Sequence, residues 1–98
     1  TVSNEGYLFV IDDRTGNILR ITDILTNIKN RKNLKPIGFI HGKDNIFVSL
    51  NNGRLLIVNS TTGIQEKIIK IHGSKISRPF IFKNSMYLIK DNAIVKIN

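Results

Sequence analysis

One short phrase occurs twice in this 98-residue chain. "LFVIDDRTGNIL" (residues 8–19) and "LLIVNSTTGIQE" (residues 55–66) both read as an apolar strand, then Asp or Asn, two variable residues, and Thr-Gly. The Thr-Gly glycines, Gly16 and Gly63, stand 47 residues apart, as do Gly6 and Gly53, which precede the two strands. A fixed spacing of this kind narrows the fold sharply. A unit of 40–50 residues made of short strands has too little core of its own, so it must stack its apolar faces on neighbouring units.

Between these landmarks the pattern is β. "YLFVID" is apolar on both faces, as expected of a strand covered on both sides. Asp12 is placed to accept backbone N–H groups across the "DRTG" turn, and Gly16 to supply a positive φ. Strands are expected near residues 7–11, 17–22, 37–41, 46–50, 54–58, 64–71, 79–83, 86–90 and 93–97. Residues 23–35 break the pattern. Ile24, Leu25 and Ile28 match helical spacing and Asp23 can cap a first turn, whereas Asn27, Asn30 and Asn33 disfavour a long helix. A short helix or an ordered loop fits this connector.

Aligned by these landmarks, "IFVSLNNGRLLIVN" corresponds to "MYLIKDNAIVKIN", Gly6–Ile21 to residues from Gly53 to about Lys67, and Ile57 to Val10; Pro36 and Pro79 each open a run. The unit then has four strands: proline-led, central, post-glycine and post-Thr-Gly. The expected fold class is all-β, a fragment of a β-propeller with four-stranded antiparallel blades, about two and a quarter of them present. In this reading, residues 1–22 hold the last two strands of a blade and 23–35 the connector. Residues 36–72 form a complete blade, and 73–98 the first three strands of another. Phe47, Phe80 and Phe82 are expected to be buried between blades. Because the chain starts and stops within a unit, either a longer protein or assembled copies are expected to complete the ring, and open blade edges offer a route to self-association.

"IDDRTG" and "VNSTTG" resemble the hydrophobic–Asp–x–x–Thr–Gly signature of the pyrroloquinoline-quinone-like propeller repeat, with Asp12, Thr15, Gly16, Asn59, Thr62 and Gly63 carrying the likeness. "IFVSLNNGRLLIVNSTTG" is similar to that family's blade core. The likeness covers nearly the whole chain and departs at one place. The family has Trp at the fourth position after the Thr-Gly glycine, where it docks one blade on the next; Arg20 and Lys67 stand there instead, as in a divergent member. The resemblance implies one of two roles. One is a quinoprotein dehydrogenase with cofactor and calcium at the propeller centre. The other is a non-catalytic scaffold of the BamB type, the lipoprotein of outer-membrane β-barrel assembly, which would be periplasmic and outer-membrane associated.

The residues favour the scaffold. A quinone site needs stacking aromatics and acidic calcium ligands, and the chain has no Trp; its seven acids fall mostly in turns. Asp12-Asp13 is the only adjacent acidic pair, and a calcium ion takes six to eight oxygens. His41 and His72 each end a strand before a glycine, where local hydrogen bonds suit them better than a metal. There is no Gly-x-Ser-x-Gly elbow, and "GKDN" lacks the spacing of a phosphate loop. No catalytic, cofactor-binding or metal-binding residue is assigned, and no cofactor is expected. With no cysteine, disulfides and thiolate chemistry are excluded.

The net charge of +8 admits a nucleic-acid or lipid partner, but the basic residues are scattered and their densest group, Lys29, Arg31, Lys32 and Lys35, lies in the connector. Nucleic acid is therefore disfavoured and a membrane is expected only indirectly. No leader peptide is visible in the first residues. The expected partner is a protein, an outer-membrane assembly component. Arg14, Lys43, Arg54 and Arg78 are candidates to meet its acidic loops, and strand edges can accept a partner strand. The alternative is a portion of a quinoprotein dehydrogenase-like propeller that binds no cofactor.

Overall fold

A computed structural model describes residues 1–26, 28, 33–71, 76–90 and 92–97. Among these the chain is all-β, with nine strands in three antiparallel sheets. The first sheet pairs β1 (Tyr7–Ile11) with β2 (Ile18–Asp23). The second runs in order through β3 (Pro36–His41), β4 (Asn45–Leu50), β5 (Arg54–Asn59) and β6 (Gln65–Lys70). The third contains β7 (Phe80–Phe82), β8 (Ser85–Lys90) and β9 (Ala93–Ile97). Every strand pairs with its sequence neighbour, so each sheet is a meander closed by short turns.

The second sheet is covered on both faces, whereas β1, expected to be covered on both sides, is covered on one only and leaves Tyr7 and Ile11 exposed. Ile46, Val48, Leu50, Leu56 and Val58 pack with Leu8, Ile24, Leu25 and Leu34 in one core. Leu55, one residue from Leu56 and so on the opposite face, packs with Ile76, Leu88 and Ile97 in another, with Phe47, Ile69 and Met86 around them. Leu55 and Leu56 are both fully buried. The molecule is thus a stack of three sheets with the four-stranded one in the middle.

The repeat is carried into the hydrogen-bond register. Tyr7↔Asp23, Leu8↔Thr22, Phe9↔Ile21, Val10↔Arg20 and Ile11↔Ile18 in the first sheet match Arg54↔Lys70, Leu55↔Ile69, Leu56↔Ile68, Ile57↔Lys67 and Val58↔Gln65 in the second. Each residue is displaced by the same 47 positions. A bulge follows Val10 in one ladder and Ile57 in the other. Val10 and Ile57 correspond as expected, and both are half-buried. Gly6 and Gly53 have φ of 91° and 80°. Their carbonyls accept the amides of Ile24 and Ile71, each at 3.0 Å. The first sheet also carries part of a further strand: Val2 bridges Leu8, as Ser49 pairs with Leu55.

Several expectations need correction. Phe80 and Phe82 are not buried between sheets; they are 37% and 58% exposed, on the outer face of the third sheet. Among the described residues nothing covers that face, so alternation that would bury them leaves them in solvent. Phe47 is half-buried against the second core. Pro36 and Pro79 are not equivalent. Ile40↔Phe47 in the second sheet matches Phe80↔Tyr87 in the third, which sets Pro79 level with Phe39. The third sheet's first strand is therefore short. Its turn is Lys83-Asn84, both with positive φ, rather than Asn84-Ser85. Where a helix was considered, Asp23 ends β2 and residues 24–26 form a turn, with Asp23 Oδ1 accepting the Leu25 amide at 3.0 Å. Asn27, Lys29, Asn30, Arg31 and Lys32 lie outside the described residues.

Candidate functional site

The six signature residues lie in two turns with closely matching bonds. Asp12 N–H donates to the Asn17 carbonyl at 2.9 Å and Gly16 N–H to the Asp12 carbonyl at 2.8 Å. In the other turn Asn59 N–H donates to Ile64 at 2.9 Å and Gly63 N–H to Asn59 at 2.8 Å. Asp12 Oδ1 accepts the Arg14 amide at 2.8 Å, and Asn59 Oδ1 accepts those of Thr61 and Thr62 at 2.8 and 3.0 Å. The Thr15 and Thr62 hydroxyls accept the amides of Asn17 and Ile64, both at 3.2 Å. The residue types follow from these tasks: a short acceptor first, a hydroxyl fourth, and glycine fifth, where φ is 77° and 75°. Asn59 also donates through Nδ2 to Glu66 Oε2 at 2.9 Å, and Asn45 to Oε1 at 3.1 Å, which anchors that carboxylate locally.

The second Thr-Gly turn is also where the first two sheets meet. The Arg20 guanidinium donates to the Thr61 carbonyl through Nη1 and to the Ser60 carbonyl at 3.3 Å through Nη2. Its Nε is buried without a partner among the described residues. Gly63 lies under Thr22, and a Cβ there would stand 2.8 Å from the Thr22 hydroxyl oxygen. A chain displacement of one repeat thus sets β2 against the turn of the next unit. Sequence reasoning noticed position 20 only as a departure from tryptophan; the long cation with several donors was the available signal of a docking role.

The second and third sheets are joined by different contacts. The Ser49 hydroxyl donates to the Ser77 carbonyl at 2.6 Å, and Lys90 Nζ to the Ile71 carbonyl at 3.3 Å. The aliphatic part of Arg78 lies across Gly38, where a Cβ would stand 2.5 Å from the Arg78 Cβ. Nothing in the local sequence marked Gly38 as a place of close approach.

The four basic residues expected to meet a partner do not form one site. Arg14 and Lys43 are exposed in the turns after β1 and β3, at one end of the strands. Arg54 opens β5 and Arg78 precedes β7, so both belong to the opposite end. The stack therefore offers two separate basic rims.

Two shallow depressions, of about 180 and 190 Å³, lie at sheet junctions. The first is lined chiefly by Thr22, Asp23, Ile24, Gly63 and Ile64, and the second by Val2, Asn4, Pro36, Gly38 and Arg78. Both are smaller than the roughly 300–1,000 Å³ typical of small-molecule pockets. Among the described residues no group of three or more His, Asp or Glu side chains is gathered as a metal would require. His41 is exposed at the end of β3, and His72 lies outside the described residues. Among the described residues the geometry offers a small β-sheet module without an evident catalytic motif, presenting turns, edges and sheet faces. In comparison with known proteins, no family model matches the chain, and no curated protein does.

Proposed function

We propose that this chain is part of a β-propeller that acts as a non-catalytic scaffold, holding another protein through its turns and strand edges. The observation that carries this reading is the 47-residue displacement of the ladder between β1–β2 and β5–β6, in sheets stacked face to face. A unit of four antiparallel strands repeated in this way is the size and form of a propeller blade. Asp12 and Glu66 are engaged within their own turns and strands, as suits residues that shape the turns of a scaffold. The partner we assign is an outer-membrane assembly component met in the periplasm, a reading that rests on the likeness of the Thr-Gly units to scaffolds of the BamB type.

The test has three arms. Immobilised protein incubated with an envelope extract of the source organism recovers an outer-membrane assembly protein, and Arg14→Glu with Lys43→Glu, or Arg54→Glu with Arg78→Glu, weakens that recovery. Dye-linked oxidation of alcohols or sugars stays at background with added quinone and calcium. Quinone-dependent turnover would overturn the scaffold in favour of the dehydrogenase-like alternative. Recovery of nucleic acid, falling steeply with salt, would overturn it in favour of a basic binding module.

A further inference from the structure

We propose that copies of this chain stack head to tail, with the outer face of the third sheet of one copy packed on the outer face of the first sheet of the next. Two interfaces between sheets are already present within the chain. The face of the second sheet that carries Leu56, Val58 and Ile68 packs on the first sheet. The face that carries Leu55 and Phe47 packs on the third. Each sheet therefore has a leading and a trailing face, and leading faces meet trailing ones.

At the two ends of the stack the same repeat positions are uncovered. Ile11 and Ile21 of the first sheet stand where Val58 and Ile68 stand in the second, and they are exposed together with Tyr7 and with Ile18, the ladder partner of Ile11. On the third sheet, Ile89↔Ile94 occupies the ladder position of Ser49↔Leu55. Leu55 is fully buried against the third sheet, whereas Ile94 is 70% exposed. Phe80, Phe82 and Ile89 share that face, with Phe80 stacked on Tyr87 at 5.8 Å between ring centroids. One end of the stack is thus an open leading face and the other an open trailing face, both apolar.

The occupant is fixed by the repeat. Inside the chain, what covers a leading face is the trailing face of another sheet of this unit, and a second copy supplies that surface position by position. A contact between two different faces of the same molecule leaves one free face on each copy. It therefore propagates, into a ring if the rotation closes and a filament if it does not. The inference does not depend on the scaffold reading, since it uses only the repeat register and the burial of its positions.

The experiment is light scattering on the size-separated 98-residue chain from micromolar to millimolar concentration, for the wild type and two variants. One carries Ile18→Lys and Ile21→Lys on the first sheet; the other carries Ile89→Lys and Ile94→Lys on the third. The wild type is expected to grow beyond a dimer as concentration rises, and each variant alone to stay monomeric. Mixed in equal amounts, the two variants are expected to form a discrete one-to-one dimer, because each keeps the face that the other has lost. The exposed positions of these four residues favour folded variants, checked by circular dichroism; Ile21→Lys and Ile94→Lys singly repeat the test if a double variant unfolds. A wild type monomeric at millimolar concentration would overturn the proposal. So would failure of folded variants to pair, or one variant assembling like the wild type, which would indicate a symmetric contact through a single face.

Discussion

Gly16 and Gly63 occupy the same place in the same turn, yet they answer to different constraints. Both have φ in the left-handed region, at 77° and 75°, where a side chain costs about 1–2 kcal/mol. Around Gly16 a Cβ would meet nothing within 4 Å, whereas at Gly63 it would press on Thr22 at 2.8 Å. Gly16→Ala is therefore expected to lower the unfolding free energy by about 1–2 kcal/mol. Gly63→Ala is expected to cost a further ~1–3 kcal/mol through overpacking. Urea titration of the two variants checks the difference; equal losses would remove the inter-sheet contact at Thr22 from the account. Asp12, Asn59 and the two threonines belong to the same logic, since their side chains satisfy amides that the sharp turn leaves without ladder partners.

At the scale of elements, what was legible in the sequence is what local chemistry dictates. The strands from β1 to β5 were readable because Gly6, Gly16, Gly53 and the Asp or Asn residues punctuate them, and the apolar alternation between them left one register. The third sheet was read less well, for two reasons. Its opening strand has only three residues, and Pro79 gave a false landmark because a proline can precede a strand at more than one ladder position. The burial of Phe80 and Phe82 was misjudged because hydrophobic patterning tells which residues share a face, not whether a neighbour covers it. The contacts of Arg20 with the next turn, and of Arg78 with Gly38, are long-range, so no window of local sequence reports them. Leu55→Ala is expected to cost about 2–5 kcal/mol as a fully buried truncation. Phe82→Ala, on the open face, is expected to change stability by ~0.5 kcal/mol or less, and chemical denaturation of both distinguishes covered from open faces. Asn84 in the Lys83-Asn84 turn has a φ of 63°. Asn84→Gly is expected to raise the melting midpoint, by about 0.5 kcal/mol of stability, since glycine suits the second place of this hairpin turn; a lower midpoint would contradict the turn assignment.

At the scale of the whole molecule, the chain is a stack of sheets joined through leading and trailing faces, with turns, edges and the two end faces left to meet partners. The two basic rims follow from the meander, because successive turns alternate between the two ends of the strands. The two cores follow from β5 lying inside the middle sheet, with neighbouring leucines directed to opposite sides. That last feature gives the most direct test of the central claim. In methyl nuclear Overhauser spectroscopy on selectively labelled protein, the Leu56 methyls are expected to connect with the group formed by Leu8, Ile24 and Leu25 of the first sheet and its following turn. The Leu55 methyls are expected to connect with Ile76, Leu88 and Ile97 on the other side. Two separate sets of cross-peaks from adjacent residues is the predicted result; Leu55 and Leu56 reporting the same neighbours, or either reporting none, would contradict the stacked-sheet account.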